Sequence, residues 1–293
     1  MLGKNQVQNK GDFAMNVLST EKKSEILMHL VEGLSIRSIE RITGFNRRTI
    51  LRVLTECGEK AKEILDSEIV NLQSNFVQVD EIHSYVAKRQ KNLTDGEKNN
   101  PEIGEQYVFV AMDSETKLVT SFGVGKRTYE MAHAIMKDLQ YRIGNRFQLS
   151  TDSFAPYFNA VDSVFGEDID YGQVHKEYAE PFKSEKRYSP AEIVRVIIRP
   201  LTGSPNRKYI STSHIERQNL TMRMSMRRFT RLTNAFSKKL ENHKAAVALH
   251  FFHYNFMRIH QTLRVTPAME ARITNRLWNW SDLLTWNEQK IAA

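Results

Sequence analysis

The feature that most narrows the choice of fold is a change of period near residue 76. From there FVQVDEIHSYV, over 76–86, is β-rich and alternates between faces, which predicts a strand. YVFVAMD at 107–113 and KLVTSFGV at 117–124 predict two more strands, with SET between them as a short hairpin loop, and the polar stretch 88–106 predicts a loop. The period then lengthens. Met131, Ile135, Leu139 and Ile143 fall in helical register, FQLSTD at 147–152 returns to a strand, and APYFNAVDSVF predicts the helix after it.

Three strands, a helix, a strand and a helix make the order of an RNase H-like α/β core with a mixed sheet. In that order the first and fourth strands are neighbours, which brings Asp80 and Asp152 together although they are distant in the chain. Two carboxylates in one site repel unless a cation lies between them. A strand near 169–174 and a polar, proline-bearing insertion up to about residue 213 follow.

The next acid stands alone. In HIERQNLTMRMSMRRF, over 214–229, Glu216 is surrounded by Arg217, Arg223, Arg227 and Arg228. Ser213-x-x-Glu216 has the form of a capping box, which explains Glu216 locally. It leaves the arginines unexplained. At ideal helical spacing Glu216, Arg223 and Arg227 lie within about 20° of one line, and Ile215, Met222, Met226 and Phe229 form an apolar back. The alternative use for such a helix is catalytic: Glu216 joins the two aspartates around a metal ion, and the arginines hold phosphates.

Charge distribution supports a polyanionic partner. Residues 214–244 carry 8 basic and 2 acidic side chains, whereas 61–213 carry 19 and 22. Residues 1–60 are also net basic, with 10 and 7. Clustered arginine and lysine of this kind most often meet a phosphate backbone. Within 20–57 three short helical patterns end at Gly33, Gly44 and Gly58, which predicts a helix-turn-helix whose last helix offers Asn46, Arg47, Arg48 and Arg52 to a major groove. A three-helix protein-binding bundle is the alternative.

Other features exclude classes. A content of 41% hydrophobic and 26% charged residues is that of an ordinary globular protein, and no uncharged apolar run reaches membrane-spanning length. MLGKNQVQNKGDF has no signal-peptide core, so a cytoplasmic protein is expected. Cys57 is the single cysteine and rules out an internal disulfide or paired-thiolate zinc. Trp278, Trp280 and Trp286 are expected to cover a core or a subunit surface.

VDEIHSYV, TDSFAPY, HIERQNLTMRMSMRRFTRLTNAFSKK and HYNFMRIHQTLRVTPA together resemble the transposases of the insertion sequence 1 family, in its longer branch with an N-terminal helix-turn-helix. The resemblance implies a DDE-type enzyme, prokaryotic and nucleoid-associated, that binds element ends and cuts and joins DNA strands. Its catalytic and metal-binding acids fall on Asp80, Asp152 and Glu216. Two Mg²⁺ ions are implied, about 3.5–4 Å apart, with Mn²⁺ able to replace them. Arg217, Arg223, Arg227, Arg228, Arg231, Lys238, Lys239 and Arg258 are the expected backbone contacts, and His214 a further candidate. Double-stranded DNA is the implied partner, bound by a dimer or larger homo-oligomer. The expected divisions are a weakly ordered 1–19, the helix-turn-helix at 20–58, a helical linker at 59–75, the catalytic unit at 76–235 with its insertion at 177–212, and a helical 236–293. A DNA-binding regulator and an RNase H-fold nuclease without strand transfer are the alternative functions.

Overall fold

The computed structural model describes residues 18–179, 192–230 and 233–292. Three helices come first: α1 (Thr20–Val31), α2 (Ile36–Thr43) and α3 (Arg47–Glu68). Each starts on a side-chain cap. The Ser19 and Ser35 hydroxyls accept the amides of Lys22 and Ser38, and Asn46 Oδ1 accepts the Arg48 amide at 2.9 Å. Gly44 ends α2 at φ +73°, a left-handed conformation that favours glycine. Ile26, Leu27, Ile39, Ile50 and Leu54 are fully buried between the three helices.

The third helical pattern was expected to stop at Gly58, yet α3, 22 residues long in all, runs on through it to Glu68. Gly58 is a packing position. A Cβ there would lie 2.5 Å from the Ala245 Cβ and 2.6 Å from its Cα, so the bare backbone is what allows α3 to lie against α8 (Leu240–Phe252). The 59–75 segment is therefore half occupied by the same helix.

The sheet has six strands: β1 (Phe76–Val86), β2 (Gly104–Asp113), β3 (Val119–Gly125), β4 (Gln148–Asp152), β5 (Asp170–Tyr178) and β6 (Ile193–Thr202). Their order is β3-β2-β1-β4-β5-β6. β1 pairs antiparallel with β2 and parallel with β4, in the register Val79 to Thr151, so Asp80 and Asp152 follow one another at the same level of the sheet. A short α4 (Asp95–Lys98) lies in the β1–β2 connection, and α5 (Tyr129–Arg142) and α6 (Ala155–Phe165) complete the first half. Phe109 of β2 meets Tyr157 of α6 edge-on on that side of the sheet.

The insertion before Glu216 is not merely polar. Its IVRVIIRPLT forms β6, paired antiparallel with β5 in the register Val174 to Ile198. β-branched side chains on a pleated surface account for this strand.

On the opposite side of the sheet lie α7 (Ser213–Ser225) and α8, followed by a π-turn at His253–Met257, α9 (Pro267–Glu270) and α10 (Trp280–Ala292). The π-turn presents Asn255, fully buried, to the first residue of β3. Its Oδ1 accepts the Val119 amide at 3.0 Å and its Nδ2 donates to the Val119 carbonyl at 2.9 Å. Tyr254 donates to the Lys117 carbonyl at 3.1 Å. The motif HYNFMRIH thus ties the helical C-terminal region to the edge strand. Trp278 covers this junction, with its ring 4.5 Å from Phe256 and 5.6 Å from Trp286, and Trp280 stacks on His253. Among the described residues, no helix is long and apolar enough to cross a membrane.

Candidate functional site

A cavity of about 930 Å³ opens where β1 and β4 run side by side, and Asp80, Glu81, Asp152, Glu216, Asn219 and Arg223 are among its lining. Consecutive strand residues point to opposite faces. Asp80 accordingly faces α7, where its Oδ2 accepts from Asn219 Nδ2 at 2.9 Å. Glu81 faces the α5 side, where Arg127 meets it at 3.2 Å. Asp152 ends β4, and one carboxyl oxygen from each of Asp80, Glu81 and Asp152 comes within 4.8 Å of the others.

Glu216 lies outside that cluster but in the same cavity. Its Oε1 is bound by the Lys176 ammonium of β5 and accepts the Thr212 hydroxyl at 2.5 Å. The capping-box expectation fails here. The start of α7 is capped across the fold by Gln78 of β1, whose Oε1 accepts the amides of His214 and Ile215 at 3.0 and 3.1 Å. A side chain from β1 does the capping of the amides, and the Glu216 carboxyl, held by Lys176 and the Thr212 hydroxyl, lines the cavity. His214 points elsewhere, with its ring 3.4 Å from the Lys117 ammonium.

Burial first, and then the Asp152 carboxylate, push Asp80 up to about 6 and Glu81 up to about 8. Burial also raises Asp152, against the pull of the Phe154 amide and Arg127. Arg127 is the local counter-cation: it lies 3.7 Å from Asp152 and stacks 3.9 Å over the Phe154 ring.

Because the folded value of Glu81 exceeds that of an ordinary carboxylate near 4.3, its contribution to stability is present below about pH 4.5 and is lost as pH rises through about 8. Without metal, the melting temperature of the wild type should therefore fall relative to Glu81→Gln as pH is raised across that window. Parallel melting curves for the two proteins would contradict this environment for Glu81.

The donor set fits a hard cation. It consists of oxygens, crowded at like charge, and the buried Asn219 Oδ1 beside Asp80 has no hydrogen-bond partner among the described residues. Such an acceptor suits a water bound to an ion. The acids Asp80, Glu81 and Asp152 can hold a metal in this arrangement.

The predicted basic residues divide. Arg223 lines the acidic cavity. Arg227 was expected to continue the same helical line, but α7 ends at Ser225, Met226 turns to an extended conformation (φ −112°, ψ 111°), and Arg227–Phe229 forms a separate 3₁₀ turn. The expected apolar back, Ile215, Met222, Met226 and Phe229, is buried nonetheless. Arg227, Arg228 and Lys238 line a second cleft together with Asn46, Arg47 and Arg48. Arg217 is exposed on α7. Arg52 lies 3.8 Å from Glu56, Lys239 3.2 Å from Glu241, and Arg258 donates to Ser225 at 3.4 Å. Arg231 falls outside the described residues. Glu81, Arg127, Lys176 and Asn219 escaped the sequence reading. Only Asn219 had a signal there, its position three residues after Glu216 on the same helix face.

No family model and no curated protein matches the sequence. Among solved structures, a piggyBac transposase synaptic complex with hairpin DNA is similar at TM-score 0.43 and 11% identity, over 93% of this chain and 72% of that one. A simian T-cell lymphotropic virus intasome in complex with the PP2A regulatory subunit B56 gamma is similar at TM-score 0.38 and 11% identity, over 85% and 74%. At these scores neither likeness identifies a fold family.

Proposed function

We propose that the chain is a DNA-strand transferase of the DDE class, built on an RNase H-like core, with the insertion sequence 1 transposases as its relatives. The observation that carries the reading is the meeting of Asp80, midway along β1, with Asp152, at the end of the adjacent parallel strand β4, in a cavity that also holds Glu216 and Arg223. Asp80 and Asp152 would hold the divalent ions, Mg²⁺ in the first instance, with Glu216 or Glu81 completing the shell. When bound, such ions stabilise charge on the attacking and leaving oxygens at phosphorus.

The chain's own groups have separate tasks. Asn219 fixes the Asp80 carboxylate through its amide, and Arg127 keeps Glu81 and Asp152 in place while stacked on Phe154. Arg223 and Lys176, both on the cavity wall, are placed to neutralise a phosphodiester entering beside the acids. Lys176 also pairs with Glu216 on that wall. The three N-terminal helices serve as the helix-turn-helix that binds element ends, and a homo-oligomer brings two ends together.

The test is incubation of purified protein with Mg²⁺ and end-labelled duplexes taken from the DNA on either side of the coding sequence, where inverted repeats are expected. Cutting at the repeat boundary followed by joining to a second duplex is the expected result. Binding without cutting would make the protein a regulator, and cutting without joining a nuclease.

A further inference from the structure

Where β4 stops at Asp152 its neighbours run on, β1 to Val86 and β5 to Tyr178, and both line the acidic cavity. The last pair between β4 and β5 is Asp152 to Val174, so His175 is the first β5 residue past the end of β4. Lys176, next to it, reaches Glu216 on the α7 side. Alternation along the strand turns His175 to the other side, where α6 begins. There its Nδ1 lies 2.8 Å from the hydroxyl of Ser153, the residue after Asp152, and both side chains line the cavity.

What this pair can do follows from its protons. The Ser153 hydroxyl has a single hydrogen and two acceptors in reach, His175 Nδ1 at 2.8 Å and the Val174 carbonyl at 3.4 Å. The shorter contact is the better hydrogen bond, and a serine that donates to Nδ1 leaves the proton of an uncharged imidazole on Nε2. Among the described residues Nε2 has no partner, and His175 is outside the group of side chains close enough to share a metal with Asp80, Glu81 and Asp152. No carboxylate among the described residues meets the ring either, so the pair lacks the third member that activates a serine nucleophile. The ring is left as a donor at the cavity wall. It can give a hydrogen bond to an oxygen that gains charge; it cannot take a proton from an attacking water. On the α7 side Arg223 and Lys176 suit the non-bridging oxygens of a phosphodiester, whereas Arg127 is engaged by Glu81 and Asp152.

We propose, on the strand-transferase reading above, that His175 is a catalytic residue whose Nε2–H donates a hydrogen bond to the departing 3′ oxygen of the scissile strand, and that Ser153 is a positioning residue that fixes the tautomer of the ring. In the cleavage step the water oxygen bonds to phosphorus as the bond from phosphorus to the 3′ oxygen breaks, and the electron pair of that bond goes to the 3′ oxygen. The surplus proton of the water goes to solvent, the departed oxygen takes one from solvent, and the ring keeps its own. Charge on the leaving oxygen is thus met by a fixed dipole as it develops.

The experiment is single-turnover cleavage in Mn²⁺ of two duplexes with the same cut site, one with the natural 3′ oxygen and one with sulfur in its place at the scissile bond, because a thiolate departs without help from a donor. His175→Leu should cut the oxygen duplex about 100-fold more slowly than wild type and the sulfur duplex only a few-fold more slowly, with binding of both unchanged. His175→Gln keeps an N–H and should recover part of the loss. Ser153→Ala should show the same oxygen-to-sulfur pattern with a smaller loss, and it carries the test if His175→Leu does not fold. Equal losses on the two duplexes would make the pair structural and overturn the proposal, as would wild-type rates on the oxygen duplex. Either result in a protein whose wild type cuts DNA sinks this proposal alone; a wild type that cuts neither duplex sinks the transferase reading and the proposal with it.

Discussion

Asp80→Asn and Asp152→Asn should each reduce strand cleavage at least about 1000-fold, equivalent to roughly 4 kcal/mol of transition-state stabilisation, while binding of the same duplex persists. The two side chains, from the middle of β1 and the end of β4, supply oxygens that approach within 4.8 Å, and an amide in place of either removes both charge and a ligand. A second consequence runs the other way. Without metal, Asp80 is unfavourably placed by burial and by Asp152, so neutralising it should raise the melting temperature of the metal-free protein. Activity lost together with stability gained distinguishes a functional acid from a structural one. A cleaving Asp80→Asn protein, or one that is inactive because it is unfolded, would contradict this assignment. Glu216→Gln should also abolish cleavage but gain less stability, since its carboxylate has Lys176 as a partner.

Asn255→Ala should destabilise the fold by about 2–6 kcal/mol, because truncation strands two buried backbone groups of Val119, each costing about 1–3 kcal/mol. The loss should appear as a lower urea midpoint with little change in slope. Substituting Asn255 removes no group from the acidic cavity, so residual activity at low temperature should track the folded fraction. An unshifted midpoint would mean that the π-turn does not hold β3.

Much of the fold was legible because periods of two and 3.6 residues are visible in a single chain. The alternation over 76–86 located β1, and the strand–helix–strand order placed β4 next to it. Continuity was less visible. Gly58 looked like a helix stop, because a glycine in open helix weakens it, whereas here it receives Ala245 from a helix distant in sequence. Arg227 left the helical line because α7 unwinds at Met226, which periodicity cannot register. β6 was hidden by reading the insertion through its proline and polar residues rather than its β-branched run.

The site divides along the same line. Asp80 and Asp152 stood out as acids at matched positions on two strands expected to be neighbours. Glu81 did not, since strand alternation assigns it to the other face; only the termination of β4 lets Asp152 reach both. Lys176 and Arg127 belong to β5 and to the loop before α5, and only the folded chain shows that they answer the acids. The arginines of 214–244 were legible as a group but not in their division between two cavities.

The central claim is that folding prepares a divalent-ion site between β1 and β4. Crystals soaked in millimolar MnCl₂ and measured at the manganese edge test it directly. Anomalous density about 2.1 Å from carboxyl oxygens of both Asp80 and Asp152 is the expected result. Density confined to other acids, or none at this pair in a fully soaked crystal, would contradict the account.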